Sequence, residues 1–328
     1  MQHVRIGLIG CGNIARRHLY FLTGMAQAQI VACCDIQPER AAEVAGPLSA
    51  RAYTDYRELL EKETLDAAYI CSPTFARADQ EILAAQKGLH LFVEKPVALD
   101  ISRALQNQAA LAQAGKLVSV GYLLRYLSAT QKVKEFLEDR QVTFASAWYL
   151  GKFPELSWFG QMATSGGQLV DQTTHLIDLL TYLVGDVTAV SANFGYEAFQ
   201  GQPNVDIADS GVVNLRFANG AVGTVMNACC LGFHGPVPGI WLAGEGFFIE
   251  LTYQKLTIKT PDGAQEEAIA LTEGYAAESR AFLDAVLTGQ PEKILCPYPA
   301  GVKTLAVALA ATQSAAQGRP VSLTELLK

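Results

Sequence analysis

The sequence predicts an α/β protein of two domains: a doubly wound parallel sheet over residues 1–122, then an α+β domain over residues 123–328 with a largely antiparallel sheet. Three observations carry this. The chain has 328 residues, half of them apolar, more than one core comfortably holds. As far as Tyr122, short apolar runs alternate with helical patterns, the β-α-β order of a doubly wound domain. Beyond Tyr122, strand-like segments follow one another with few helices between them.

In the first part the apolar runs are Val4 to Ile9, Ile30 to Cys34, Ala67 to Cys71, His90 to Val93 and Val118 to Gly121. They do not alternate, as expected of strands buried on both faces. Helical patterns fall over Ala76 to Lys87 and over Ile101 to Ala114, the second with Asp100 placed as an N-cap. In the second part a helix is expected from Ser128 to Glu138. Strands are expected over Val142 to Tyr149, Val187 to Phe194, Gly211 to Phe217, Ala221 to Cys229, Phe247 to Thr252 and Lys255 to Thr260. Two helices close the chain, Tyr275 to Leu287 and Tyr298 to Gln317, with Gly318-Arg319-Pro320 as the stop.

Composition narrows the function. No apolar stretch approaches the roughly 18 residues of a spanning helix, and the first strand starts too near the beginning for a secretory signal to precede it. The net charge is −7, with 12 basic and 12 acidic residues up to Tyr122 and 13 basic and 20 acidic after it. That surplus repels phosphate backbones and anionic lipid, which speaks against nucleic acid or a membrane as partner. The seven cysteines, odd in number and without metal-type Cys-x-x-Cys spacing, read as small core residues of a cytoplasmic protein, and no metal site is expected.

The first chemical signal is Gly10-Cys11-Gly12-Asn13-Ile14-Ala15, placed between an apolar strand and a helical segment. In that context Gly10 permits the tight turn, Gly12 lets the backbone approach a pyrophosphate, and Ala15 allows close packing of helix on strand. The phosphates would sit on the helix N-terminus at Asn13 and Ile14. Asp35 follows Ala15 by 20 residues, where a carboxylate grips an adenosine ribose and repels a 2′-phosphate. NAD is therefore expected, with NADP open because Arg40 is near; Asp35 also reads as a turn or cap residue before Pro38.

Further signals fall at the ends of later strands, the ligand-binding edge of such sheets. Ser72, Pro73 and Thr74 offer small polar groups to a cofactor, and equally suit a plain turn with Thr74 capping the next helix. Glu94-Lys95-Pro96 ends the following strand. A lysine near a cofactor cation can bind or polarise the oxygen of an alcohol or ketone, although an isolated lysine reads as surface. In the second part, Asp171 and His175 are four residues apart, so on one helix they share a face. A carboxylate beside an imidazole makes a general base, a metal site or a simple polar face.

Taken together, these residues resemble the GFO/IDH/MocA oxidoreductase family over nearly the whole length. The likeness rests on the glycine fingerprint, Asp35, the Pro73 turn, Glu94-Lys95-Pro96, Gly121-Tyr122 with Arg125, Trp158, and the block from Gly166-Gly167 to Asp178. It implies a Rossmann domain for the cofactor, and a second domain whose open-faced sheet supports a homodimer or homotetramer. It implies NAD(P)-dependent hydride transfer between nicotinamide and a secondary alcohol of a sugar or cyclitol. His175 would take the hydroxyl proton, Lys95 would bind the oxygen, and Asp171 would orient the sugar or His175. Asp178 supports the helix. Tyr122, Arg125 and Trp158 are candidates for substrate contact, with Lys152 and His234 as further loop candidates. Arg77 departs from the histidine many relatives carry after the proline turn. An NAD-dependent glycosidase and a non-enzymatic sugar or nucleotide sensor are the alternatives.

Overall fold

The computed structural model describes residues 3–327. The first elements alternate: β1 (Val4–Ile9), α1 (Asn13–Leu22), β2 (Ala28–Cys34), α2 (Pro38–Ala45), β3 (Arg51–Tyr53), α3 (Tyr56–Lys62), β4 (Ala67–Ile70), α4 (Gln80–Gln86), β5 (His90–Val93), α5 (Ile101–Ala114) and β6 (Val118–Val120). All six strands pair in parallel in the order β3-β2-β1-β4-β5-β6. The chain therefore winds one way from β1 and the other way from β4, and the C-terminal ends of those two neighbours form the switch point where such sheets take ligands.

The elements that follow are α6 (Ser128–Phe136), β7 (Val142–Leu150), α7 (Met162–Ser165), α8 (Gly167–Asp171), α9 (Thr174–Val184), β8 (Val187–Gly195), β9 (Ser210–Phe217), β10 (Val222–Ala228), β11 (Gly239–Gly244), β12 (Phe247–Thr252), β13 (Lys255–Thr260), β14 (Gly263–Ala268), α10 (Thr272–Thr288), α11 (Tyr298–Gln317), β15 (Val321–Ser322) and α12 (Leu323–Leu326). Strands β7 to β15 form one sheet, β14-β13-β12-β11-β7-β10-β9-β8-β15. It is antiparallel throughout except for the parallel pair β7–β10.

Two compact units emerge. One holds residues 3–97, Ser102–Tyr126 and Thr272–Gly301; the other holds Ala98–Ile101, Leu127–Leu271 and residues 302–327. Helix α10 thus belongs with the parallel sheet, and its Phe282, Leu283 and Ala285 join Ile6, Leu8, Leu19, Tyr69 and Phe92 in that unit's core. Six cysteines are buried, Cys230 is half-buried, and all seven are free thiols. Cys11, Cys33 and Cys71 are themselves core residues of the first unit.

In the nine-stranded sheet, pleating sends alternate residues to opposite faces. Ala145, Ala147, Val213, Val225, Ile240 and Leu242 are buried on one face, whereas Phe144, Val212, Val222 and Trp241 on the other are 43%, 46%, 53% and 37% exposed. Among the described residues, no helix is long and apolar enough to cross a membrane.

The expected helix from Ala76 begins later, at Gln80. Ala78 has φ +47, a left-handed conformation that an α-helix cannot carry through, so residues 74–76 form only a short 3-10 turn. The strands β3, β11, β14 and β15 lacked a signal strong enough to read. β3 is short and largely exposed, β14 is exposed along nearly its whole length, and β11 is bounded by glycines at both ends.

Candidate active site

At the switch point, Gly10 has φ +89, and a Cβ there would lie 2.5 Å from the Ser72 amide nitrogen. The turns after β1 and β4 meet too closely for any side chain. Gly12 behaves differently, since a Cβ there meets no atom within 4 Å. It is the N-cap of α1, which has no capping side chain and no acidic residue in its first turn. The first amides of α1, from Asn13 and Ile14 on, thus carry no side-chain competitor for an anion, and the open space beside Gly12 admits a pyrophosphate.

Asp35, 8% exposed, follows β2. Its Oδ2 accepts the Cys11 N–H at 2.9 Å and its Oδ1 accepts the Gln37 N–H at 3.0 Å, so the carboxylate braces the fingerprint turn. Each oxygen keeps a second lone pair for a ribose hydroxyl. Arg40 lies half-exposed with Nη1 3.8 Å from Asp35 Oδ2. These groups fit a dinucleotide.

After β4, Ser72 Oγ donates to Gln80 Oε1 at 2.5 Å, and Thr74 Oγ1 donates to the Pro96 carbonyl at 3.3 Å rather than capping α4. Pro73 leads into the 3-10 turn. Arg77 is 4% exposed; its Nε donates to the Ser72 carbonyl at 3.2 Å and its Nη1 to the Pro96 carbonyl at 2.7 Å.

Lys95 follows β5. Its N–H donates to Glu94 Oε2 at 3.0 Å, and the Lys95–Pro96 peptide is cis. Glu94 Oε1 lies 2.7 Å from His18 Nε2, with both side chains buried. Glu278 of α10 completes the cluster, the one group of three potential metal ligands among the described residues. Desolvation pushes the Glu94 carboxyl up, but the His18 bond and nearby positive charge outweigh it and leave the group below its ordinary value. Burial and then the Glu94 charge push Glu278 well above it.

Tyr122 is buried, and Arg125, 6% exposed, donates from Nη1 to the Leu295 carbonyl at 2.7 Å. Both stand in the first unit.

The second constellation lies in the other unit and is not one helix. α8 stops at Asp171 and α9 starts at Thr174. The Thr173 N–H reaches back five residues to the Gln168 carbonyl, whereas the His175 N–H reaches only three, to Gln172. The regular four-residue ladder fails between Asp171 and His175, so the one continuous helix expected is replaced by a kink with one residue on each side of it. Gly166 and Gly167 lead in with φ +70 and +79, and a Cβ on Gly166 would lie 2.9 Å from Val170.

Gln168 anchors α8, a role the sequence did not disclose. Its Nε2 donates to the carbonyls of Ala228 at 3.0 Å and Tyr149 at 3.3 Å, and its Oε1 accepts from Asn227 Nδ2 at 2.9 Å. Tyr149 at the end of β7 is a further unforeseen neighbour: burial first, then the Asp171 carboxylate, push its phenol up. Asp178, fully buried on α9, accepts from Thr304 Oγ1 at 3.0 Å. Trp158 packs beside Phe159, Ile207 and Cys229. Lys152 pairs with Glu155 at 3.3 Å, and His234 is exposed.

Residues 4–122 match the profile described as "Oxidoreductase family, NAD-binding Rossmann fold", and residues 140–323 match its "C-terminal alpha/beta domain". The chain belongs to the GFO/IDH/MocA oxidoreductase family. Two relatives within it are the myo-inositol 2-dehydrogenase of Thermotoga maritima and the scyllo-inositol 2-dehydrogenase (NAD(+)) of Bacillus subtilis. The first is 26% identical, covering 99% of this chain and 100% of that protein; the second is 27% identical, covering 98% and 97%. A crystal structure of an oxidoreductase from Agrobacterium radiobacter in complex with NAD+, L-tartaric acid and magnesium superposes with a TM-score of 0.88. It is 22% identical and covers 99% of this chain and 100% of that one, a likeness of fold. Membership makes this chain an NAD-dependent oxidoreductase, with its parallel sheet as the NAD-binding Rossmann unit.

Proposed function

We propose that the protein oxidises a secondary hydroxyl of a sugar or cyclitol with NAD, or runs the reverse reduction. The observation that carries this is Lys95 at the end of β5, on the same sheet edge as the Gly10 and Ser72 turns and with its backbone held by a buried carboxylate. The two inositol dehydrogenases support the substrate class, since they align over essentially the whole chain.

Gly10, Gly12, Asn13 and Ile14 would hold the pyrophosphate and Asp35 the adenosine ribose, with Ser72, Pro73, Thr74 and Glu94 around the rest. Bound NAD supplies the hydride acceptor. An imidazole nitrogen of His175 takes the proton from the hydroxyl as the carbinol carbon loses hydride, and the Lys95 ammonium donates a hydrogen bond to that oxygen as negative charge develops on it. Asp171 holds the sugar or His175 in place. Tyr122, Arg125 and Trp158 bound the substrate.

The exposed apolar face carrying Phe144, Val212, Val222 and Trp241 suits a homo-oligomer. Free cysteines throughout suit a reducing cytoplasm.

The deciding experiment is a panel of inositols, aldoses and 1,5-anhydro sugars or lactones, each run with NAD and NADP in both directions and followed by NADH or NADPH absorbance. A polyol or sugar turned over by wild type and slowed on the order of 10²–10⁴-fold in His175→Ala supports the proposal. Cofactor binding with no turnover across the panel, or full turnover in His175→Ala, overturns it.

A further inference from the structure

We propose that Arg77 is a positioning residue for Lys95: by holding the Ser72 and Pro96 carbonyls together, its guanidinium fixes the strand end that presents the lysine. The inference rests on the proposed role of Lys95 in turnover.

Backbone pairing between β4 and β5 runs to Ile70 opposite Val93, followed by the Glu94 N–H to the Ile70 carbonyl at 2.9 Å. Past that point each strand enters a turn with a proline, Pro73 or Pro96, which has no N–H to offer. Arg77 supplies the missing donors. Nε binds the Ser72 carbonyl at 3.2 Å and Nη1 binds the Pro96 carbonyl at 2.7 Å, so one planar group spans both turns. The guanidinium is buried, and Glu81, 1% exposed, offsets its charge with Oε1 3.6 Å from Nη1. Asn107 Nδ2 in turn donates to Glu81 Oε2.

Lys95 is therefore bracketed. On its N-terminal side, its own N–H is held by Glu94 Oε2, and Glu94 is held by His18. On its C-terminal side the next carbonyl is held by Arg77, with Thr74 Oγ1 on the same oxygen. A lysine side chain has several rotatable bonds, and fixing its backbone at both ends narrows where the ammonium can go. The donor geometry selects arginine. A neutral imidazole has one N–H and a lysine ammonium lacks the planar fork, so neither reproduces both carbonyl bonds together with the Glu81 pair.

The test is a double-mutant cycle read on the fastest substrate of the panel, together with the NAD dissociation constant and hydrogen exchange over residues 94–97. Arg77→Met is expected to lower kcat on the order of 10²-fold, as loss of catalytic alignment does, while the NAD dissociation constant stays within about threefold. Arg77→Lys should recover part of the loss. In a Lys95→Ala background, Arg77→Met should cost nothing further, because the lysine it aligned is gone.

An unchanged kcat in Arg77→Met, or the same loss with and without Lys95, overturns the inference. Normal turnover in Lys95→Ala instead sinks the role given to Lys95, a failure distinct from that of Arg77. Should Arg77→Met not fold, or no panel member react, exchange in the milder Arg77→Lys decides. Amides of Glu94, Lys95 and Val97 opening on the order of tenfold faster than in wild type, with the rest of the first unit unaltered, supports the inference; unaltered exchange at those amides overturns it.

Discussion

The His18 imidazole lies 2.7 Å from the Glu94 carboxylate, with both side chains buried inside the parallel-sheet unit. Rings of Phe92, Tyr69 and Tyr275 stand edge-on to His18, with centroids 4.9, 5.7 and 5.8 Å away. The carboxylate packs against Gly121, where a Cβ would lie 3.0 Å from Oε1. Glu94 is thus confined from two directions while its second oxygen holds the Lys95 N–H. The pairing explains how the acidic residue before the lysine can be buried: each of its oxygens has a hydrogen-bond partner inside the fold.

The first prediction concerns Glu278, whose two oxygens meet no hydrogen-bond partner among the described residues. Burial and the Glu94 charge raise its pKa well above the ordinary value. The folded chain keeps this proton over a pH range in which the unfolded chain, with a carboxyl near 4.3, has released it. Stability from this group is therefore complete at low pH and falls as pH rises. Glu278→Gln keeps the neutral shape and removes the dependence. Its melting temperature should gain on wild type as pH rises above the unfolded carboxyl's value of about 4.3; parallel curves would rule the neutral Glu278 out.

A second prediction separates fold from cofactor within the fingerprint. Gly10→Ala puts a Cβ against the Ser72 backbone at positive φ, and should destabilise the protein by about 1–3 kcal/mol or more. Gly12→Val points into open space, so melting should barely move while NAD affinity falls at least about tenfold, because the side chain occupies the pyrophosphate's approach. Calorimetry with and without NAD checks both. A Gly12→Val protein that binds NAD normally would move the cofactor elsewhere.

Much of this was legible because burial and turn geometry leave local marks. Non-alternating apolar runs marked five strands of the parallel sheet, and Gly10 to Ala15 marked its switch point. What was not legible depends on distant partners. Nothing local to α10 says that Phe282 packs with Tyr69 and Phe92. The i, i+4 spacing of Asp171 and His175 suggested one helix, but the Thr173 N–H reaching back to Gln168 breaks it, and Gln168 is itself held by β7 and β10. Arg77 read as a departure in sequence, and its two carbonyl bonds become visible only once β4 and β5 are adjacent.

Asp35 and Arg40 give the third prediction. Removing the carboxylate leaves the Cys11 N–H without its acceptor and takes away the repulsion a 2′-phosphate would meet, while Arg40 stays in place to pair with that phosphate. Asp35→Ser should lower kcat/KM with NAD and raise the NADP-to-NAD ratio at least about tenfold, at a stability cost of about 1 kcal/mol. An unchanged ratio would mean that Asp35 serves the turn alone. Reversal by adding Arg40→Ala would identify the guanidinium as the phosphate partner.

The last prediction distinguishes support from chemistry on α9. Asp178 lies one turn beyond His175 and is fully buried, with Thr304 Oγ1 of α11 donating to it at 3.0 Å. Thr304 is also fully buried, and valine matches its shape without the hydroxyl. Thr304→Val leaves a buried carboxylate short of one donor, which should cost about 1–3 kcal/mol and lower the melting temperature by several degrees. If Asp178 only fixes α9, kcat and KM stay within about twofold of wild type below the melting range, since transition-state contacts are untouched. A fall in kcat of tenfold or more with an unshifted melting curve would instead make Asp178 part of the proton-transfer group with His175.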